Sequence, residues 1–290
     1  MTDPLSPDRL VPPTPGQLRR LLGAERLRPR KCLSQNFLTD PEALDAIVEA
    51  AELEAGDRVI EIGPGLGVLT RRLLAAGASV LAVEVDPRLA EYLRRELYGA
   101  RGFELIEADA LSLHPREMFP GEPIKVVANI PYHITSPLLH AFLEGDRPPD
   151  LTVLLVQLEV AERVAAPPGR MSYLSVFAQN VATAEVVARV PAASFEPAPA
   201  VDSAVLRLRR RADPAVAIGA LREPFYRVVQ AGFRQRRKQV HNGLSRELPV
   251  DREAVEAALE GCGITPDRRP QTLTVDEWAC LAGALGPLLP

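Results

Sequence analysis

Four consecutive residues, Asn129-Ile130-Pro131-Tyr132, combine groups that could hold a nucleobase. The Asn129 side-chain oxygen and the Ile130 carbonyl can both accept hydrogen bonds from an exocyclic amine. Pro131 fixes the turn and has no N–H group to compete for those acceptors. The Tyr132 ring can stack on a base, which contributes about 1–3 kcal/mol. A turn that ends a strand and packs a tyrosine is the structural alternative for this stretch taken by itself.

A glycine-rich turn, EIGPGLG, occupies residues 61–67. Its glycines, Gly63, Gly65 and Gly67, would let the backbone turn sharply and approach a ligand beneath a helix N-terminus. The G-x-G-x-G spacing differs from the G-x-G-x-x-G of dinucleotide-binding folds. Glu84 follows Gly63 by 21 positions and ends the next predicted strand. Its carboxylate could accept hydrogen bonds from both hydroxyls of a ribose.

Two aspartates follow the next predicted strand ends, and we assign them different roles. Asp86, with Pro87 after it, is predicted only to cap the following helix. Asp109, in the sequence EADAL, could cap a turn, or it could accept a hydrogen bond from an adenine amine. The glycine turn, Glu84 and Asp109 fall at three successive strand ends. Together they predict a site for an adenosine-bearing cofactor.

Short apolar runs alternate with amphipathic stretches, which predicts an α/β fold of the Rossmann-like class. The expected strands are 58–62, 79–84, 103–107, 124–128, 152–157, 185–190 and 203–209, and the expected helices are 17–22, 41–51, 67–76, 87–98, 136–144 and 158–165. This order favours a parallel sheet with helices on both faces and an antiparallel edge near the closely spaced later strands. Ligands of such sheets bind beyond the carboxyl ends of the strands, where the polar motifs occur.

The strand pattern ends at Arg211, and helical stretches follow over 222–233, 237–246, 252–261 and 274–285. We therefore expect an α/β catalytic domain over 17–211 and a smaller all-helical domain over 212–290. Residues 1–16 are rich in Pro and Asp, which favours a flexible N-terminal arm.

Charge is distributed unevenly along the chain, whose net charge is −4. Residues 205–238 hold ten basic and two acidic side chains, a net charge of +8. A second basic cluster lies within residues 19–31. Arginine supplies most of these cations, and its forked guanidinium suits phosphate. The +8 segment therefore predicts contact with nucleic-acid phosphates, with a solvated helix face as the alternative.

Composition bounds the class of protein. Hydrophobic residues make up 47% and charged residues 25% of the chain, which is typical of globular proteins. Neither a signal-peptide core nor a membrane-spanning apolar run is visible, so we expect a cytoplasmic protein. Cys32, Cys262 and Cys280 are far apart and match neither a disulfide framework nor a metal site, so free thiols are expected.

The joint pattern of these motifs resembles a known family. Gln35-Asn36-Phe37-Leu38, EIGPGLG, VEVD, ADAL and NIPY together resemble the rRNA adenine dimethyltransferases, which use S-adenosylmethionine. FEPAPAVDS at 195–203 and FRQRRK at 233–238 further resemble the branch that acts on bacterial small-subunit (16S) rRNA. The likeness extends from about residue 17 to 285. Each piece alone is weak, but the combination is specific.

The resemblance implies roles for individual residues. Cofactor contacts would fall at Gln35, Asn36, Leu38, Gly63, Glu84, Asp109 and Asn129. Phe195 would face Tyr132 across the target adenine, and no metal would be required. The partner would be 16S rRNA in an immature small subunit, bound by a monomer through its helical domain. One departure is Ser34, which stands where the family usually has glycine.

Three other functions share part of this pattern. A nicotinamide-dependent dehydrogenase would have a similar glycine turn and acid, but it gives no reason for NIPY. A large-subunit rRNA methyltransferase of the antibiotic-resistance type is closer, and the FRQRRK stretch disfavours it. A non-enzymatic RNA-binding factor for ribosome assembly is the third alternative.

Overall fold

The computed structural model describes residues 10–24, 27, 35–119, 123–144, 148–216 and 222–289. The chain divides into two compact units, Met1–Ala161 with Glu185–Arg209 and Glu162–Ala184 with Arg210–Pro290. The segment Glu162–Ala184 lies within the expected catalytic domain, 17–211, but the structure groups it with the second unit. Several predicted features lie outside the described residues: Ser34, Cys32, residues 1–9 of the arm, and the cations Arg26, Arg28, Arg30 and Lys31.

The strands of the described chain are β1 Phe37–Leu38, β2 Arg58–Ile62, β3 Ser79–Glu84, β4 Phe103–Glu107, β5 Lys125–Asn129, β6 Leu151–Gln157, β7 Ala182–Val190, β8 Phe195–Glu196 and β9 Ser203–Arg210. All except β1 and β8 form one mixed sheet, in the order β4-β3-β2-β5-β6-β9-β7. Strands β2 to β6 pair in parallel, and β9 is antiparallel to β6. The predicted α/β class and its antiparallel component are confirmed.

The central strands are almost wholly buried. Val59, Ile60, Val126 and Val127 are fully inaccessible to solvent, as expected for parallel strands covered on both faces. The strand order reverses between β2 and β5, since β3 and β4 lie to one side of β2 and β6 lies beyond β5. A crevice beyond the carboxyl ends forms at such a reversal.

Helices connect these strands, and their starts follow local capping rules. The first seven are α1 Pro15–Ala24, α2 Pro41–Ala50, α3 Val68–Ala75, α4 Pro87–Glu96, α5 Pro115–Met118, α6 Thr135–Leu143 and α7 Leu158–Val164. Asp86 accepts from the Arg88 backbone N–H at 3.1 Å, which confirms its predicted capping role. Helix α1 begins two residues earlier than predicted, and Leu10 before it packs partly buried against the core.

The described part of the second unit is mainly helical. It contains α8 Tyr173–Val181, α9 Arg222–Arg234, α10 Val240–Glu247, α11 Arg252–Gly261 and α12 Val275–Leu285 around a core that includes Phe225 and Trp278. Sequence patterns did not predict α8. Seven of its nine residues are buried, the polar Ser175 and Asn180 among them, so burial in this helix does not follow side-chain polarity. No described helix has the length and apolar character needed to cross a bilayer.

A disulfide joins Cys262 to Cys280, so the expectation of free thiols is wrong for these two residues. Cys262 follows the end of α11 and Cys280 lies within α12. Packing of the two helices brings the Cα atoms to 5.9 Å, a separation that a disulfide can span. The 18-residue separation in sequence does not reveal this contact.

Candidate active site

A cavity of about 230 Å³ lies beyond the carboxyl ends of β2, β3, β4 and β5 in the first unit. Twelve of the thirteen predicted site residues line it: Gln35, Asn36, Leu38, Gly63, Gly65, Glu84, Asp109, Asn129, Ile130, Pro131, Tyr132 and Phe195. The exception is Gly67. No group of three His, Cys, Asp or Glu side chains in the described part of the chain is arranged to hold a metal ion.

Gly67 serves helix packing instead of lining the cavity. It precedes α3 with a φ of 72°, in the left-handed region that favours glycine. A Cβ atom there would lie 2.7 Å from Leu93 Cδ2 and 2.8 Å from an Arg71 nitrogen. Gly65 has a different neighbour, because its Cβ would lie 3.2 Å from the Phe37 ring. The glycine turn therefore packs against α4 at Gly67 and against the segment 35–38 at Gly65.

Arg71 stabilises the glycine turn through hydrogen bonds to its backbone, a role that the sequence did not predict. Its side chain is buried, and its Nη1 donates to the carbonyls of Leu66 at 2.9 Å and Gly67 at 3.0 Å. Burial lowers the pKa of the guanidinium, and nearby Tyr92 and Glu96 oppose that shift. A cation four residues into a helix usually faces solvent, so only the fold reveals this contact.

Glu61 is a second group whose environment the sequence did not reveal. It is 1% exposed and lines the cavity, and its Oε2 has no hydrogen-bond partner among the described residues. Burial raises the pKa of Glu61 to about 8, with Glu84 adding to the shift and Thr70 and Arg71 opposing it. Burial thus favours the protonated form of this side chain.

Glu84 joins the glycine turn to the end of β3. Its Oε2 accepts from the Gly65 N–H at 3.1 Å, and its Oε1 accepts from the Asp86 N–H at 2.9 Å. Burial raises the pKa of Glu84, while these backbone hydrogen bonds lower it. Each carboxylate oxygen has two lone pairs, so acceptor capacity remains for ligand hydroxyls.

Asp109 has the capping role that was its structural alternative. Its Oδ1 accepts from the Leu111 N–H at 2.9 Å and begins a short 3-10 helix, Ala110–Ser112. The same residue lines the cavity. One carboxylate can serve both purposes, because a single N–H uses one of about four acceptor positions.

In the Asn129–Tyr132 turn, the Asn129 side chain and the Tyr132 hydroxyl differ in their hydrogen bonding. Asn129 ends β5, and its side chain forms no hydrogen bond with the part of the chain that the structure describes. Ile130 is buried, and Pro131 opens the 3-10 turn Tyr132–Ile134. The Tyr132 hydroxyl lies 2.7 Å from Ser203 Oγ, and burial raises the pKa of this phenol.

Two short strands connect the N-terminal part of the site to Phe195. Strand β1, Phe37–Leu38, pairs antiparallel with β8, Phe195–Glu196, in a register that sets Leu38 opposite Phe195. Phe195 is buried and lines the cavity with Tyr132. The sequence alone did not predict these two-residue strands.

This sheet order, with a glycine turn, a buried acid and an Asn-Ile-Pro-Tyr turn at adjacent strand ends, is that of Rossmann-like methyltransferases. Two solved structures have the same fold. A dimethyladenosine transferase from Plasmodium falciparum gives a TM-score of 0.73 at 26% identity, over 87% of this chain and 98% of that one. The 23S rRNA methyltransferase ErmE gives 0.70 at 37% identity, over 87% and 100%.

Sequence comparisons identify the family within that class. The sequence model of the family described as ribosomal RNA adenine dimethylase matches residues 26–284. A ribosomal RNA small subunit methyltransferase A from Anaeromyxobacter dehalogenans is 44% identical over 282 residues, covering 92% of this chain and 97% of that protein. The chain belongs to the ribosomal RNA adenine dimethylase family, which confirms the resemblance, and it is a methyltransferase.

Proposed function

We propose that the chain uses S-adenosylmethionine to dimethylate the exocyclic amine of adenosines in small-subunit (16S) rRNA, as a cytoplasmic monomer acting on immature subunits. The observation that carries this proposal is a single cavity lined both by the glycine turn with Glu84 and by the Asn129–Tyr132 turn with Phe195. A cofactor nucleoside and a target base could therefore meet in one space.

The residues around the glycine turn fit an adenosine-bearing cofactor. Glu84 retains lone pairs for ribose hydroxyls, and Asp109 retains them for an adenine amine. The remaining contacts would come from Gln35, Asn36, Leu38, Gly63, Gly65 and Asn129, all of which line the cavity. When bound, S-adenosylmethionine supplies a methyl group activated by the positive charge of its sulfonium.

The turn after β5 would make the target amine nucleophilic. The lone pair of an adenine amine is delocalised into the ring, so the free base reacts poorly. The Asn129 side-chain oxygen and the Ile130 carbonyl would accept hydrogen bonds from the two N–H groups of the adenine amine. These bonds would localise the lone pair on the amine nitrogen. Alignment of reacting atoms can contribute about 7–11 kcal/mol of barrier reduction, so a strong base is not needed. The methylated amine, which is cationic, would then lose a proton to solvent.

Aromatic residues would hold the base outside its helix. Unstacking a base costs a few kcal/mol. Stacking on an aromatic ring returns about 1–3 kcal/mol, and Tyr132 and Phe195 are both available in the cavity. The buried Ile130 would help to set the space for an amine that already carries one methyl group.

The +8 segment divides into paired and unpaired cations. Arg207 forms ion pairs with Glu52 and Glu185, and Arg209 also pairs with Glu52. By contrast, residues 236–238 (Arg, Arg and Lys) are exposed and form no ion pair with any described residue. We therefore assign phosphate contact to this stretch, which we call the 236–238 patch, and not to the whole segment.

Methyl incorporation separates this function from its alternatives. Radiolabelled S-adenosylmethionine would be supplied with immature small subunits or with large-subunit rRNA, and Asn129→Ala would serve as the inactive control. We expect label in small-subunit adenosines as dimethyladenosine. Label only in large-subunit RNA would favour the activity of ErmE, which is 37% identical. No label with either RNA, together with intact RNA binding, would favour a non-enzymatic assembly factor.

A further inference from the structure

The hydroxyl groups of Tyr132 and Ser203 lie 2.7 Å apart, in hydrogen-bond contact. Ser203 is completely buried, whereas the Tyr132 ring is partly exposed and lines the cavity. Ser203 itself does not line the cavity. A serine hydroxyl that is excluded from solvent therefore touches the far end of a ring that faces the ligand space.

Ser203 is fixed in space by its neighbours. It is the first residue of β9 and pairs with Gln157 of β6. The preceding residue, Asp202, accepts from the Leu158 N–H through its carbonyl at 3.0 Å and from the Ala192 N–H through Oδ1 at 2.9 Å. Because both sides of Ser203 are tied to the first unit, the sheet sets the position of its hydroxyl.

The position of this hydrogen bond on the ring determines what it can restrain. The phenol oxygen lies on the long axis of the ring, so a bond to it fixes the direction of that axis. Rotation about the axis remains free and must be limited by packing. Without the bond, the side chain could sample other staggered χ1 rotamers, which would turn the ring away from the base.

We propose that Ser203 is a positioning residue that holds the Tyr132 ring where it stacks on the target adenine. This inference rests on the proposed function. Ser203 touches neither substrate nor cofactor, so its effect must pass through Tyr132. Cofactor binding, which depends on the glycine turn and Glu84, should not depend on Ser203.

A double-mutant cycle tests this role. Ser203→Ala and Tyr132→Phe each remove the same hydrogen bond, and the second keeps the aromatic ring. We expect each to lower kcat/KM for RNA about fivefold, the double variant to be no worse than either, and the cofactor Kd to stay within twofold. With 2-aminopurine at the target position, both variants should also quench its fluorescence less than the unaltered chain.

Thr152→Val is the matched control, since Thr152 is a buried β6 hydroxyl whose oxygen has no partner among the described residues. It should leave kcat/KM unchanged. Normal kcat/KM in Ser203→Ala and Tyr132→Phe, or effects that multiply in the double variant, would overturn the role of Ser203 while the unaltered chain remained active. An inactive unaltered chain would instead overturn the proposed function and this inference together.

Discussion

Leu38 and Phe195 occupy opposite positions in the short antiparallel pair of β1 and β8. Next to them, the Thr39 N–H donates to the Ser194 carbonyl at 2.8 Å, and Ser194 Oγ donates to Asp40 Oδ2 at 2.7 Å. The segment proposed to contact the cofactor and the residue proposed to contact the target base are thus held by one set of hydrogen bonds. Binding of either ligand should therefore favour binding of the other.

Ser194→Ala should weaken the affinity for both ligands. The substitution removes the bond to Asp40 and loosens the 37–40 segment against Phe195, so we expect about fivefold higher Kd for both S-adenosylmethionine and RNA. Equilibrium binding of each ligand, alone and with the other present, measures this. Ser245→Ala, in α10, should change neither Kd. Weaker binding of only one ligand by Ser194→Ala would contradict the coupling.

Asn129→Ala should abolish methyl transfer while keeping the cofactor Kd within a few-fold. Loss of the side-chain acceptor removes a contact that matters most as the amine becomes nucleophilic, so kcat should fall at least about 100-fold. Asn129→Asp keeps an oxygen acceptor and should retain more activity. Single-turnover methylation and cofactor titration give both quantities. Near-normal turnover by the alanine variant would refute the assignment.

Neutralising the 236–238 patch should weaken RNA binding without affecting the cofactor. Replacing its three cations by Gln should lower RNA affinity at least tenfold and reduce the slope of log K against log salt by about two. The control triple, Arg94, Arg95 and Arg101 to Gln, makes the same charge change in the first unit. Equal losses of RNA affinity in the two triple variants would indicate a general effect of net charge and would argue against specific phosphate contact by the 236–238 patch.

Glu61→Gln should change how stability depends on pH. The folded pKa of Glu61 is about 8 and its ordinary value is 4.5, so between these values only the unfolded chain releases the proton. This residue's contribution to the free energy of unfolding therefore falls as pH rises from about 4.5 to 8. Glutamine cannot release a proton. As pH rises, the free energy of unfolding of Glu61→Gln should therefore increase relative to that of the unaltered chain, by at most about 1.4 kcal/mol per pH unit.

Urea denaturation of the two proteins from pH 5 to 9 measures that difference. It should increase up to about pH 8 and then level off. A difference that stays constant over the whole range would show that Glu61 is not protonated in the folded chain.

Gly232→Ala should destabilise the second unit. A Cβ atom at Gly232 would overlap Trp278 Cη2, and Trp278 is fully buried. Overpacking of this kind costs about 1–3 kcal/mol. Gly283→Ala, in α12, is the control, because nothing lies within 4 Å of its Cβ and alanine favours a helix. Urea denaturation should show a lower free energy of unfolding for Gly232→Ala and a higher one for Gly283→Ala. A Gly232→Ala variant as stable as the unaltered chain would contradict this packing.

Local patterns predicted most elements of the first unit. Strand β2 and strand β3 have the predicted bounds, and helix α4 begins after Asp86 as its capping pattern indicates. These features depend on residues adjacent in sequence, through side-chain alternation and hydrogen bonds to nearby N–H groups.

Features that depend on distant contacts were missed. In helix α8 the polar Asn180 is buried because it accepts a hydrogen bond from the distant Val216 N–H, and the bond between Cys262 and Cys280 requires two helices to pack together. The burial of Arg71 and the raised pKa of Glu61 likewise arise from what the fold places around them.

The sequence by itself determined which chemical groups end each strand, because motif residues and strand ends are both encoded locally. It did not determine which strands are neighbours. The structure pairs β2 with β5, and Ile62 opposite Ala128 brings Gly63 next to Asn129. A Cβ atom at Gly63 would be only 3.7 Å from the Asn129 carbonyl. Tertiary structure decided this contact, because the order of strands in a sheet depends on how the whole chain buries its apolar surface.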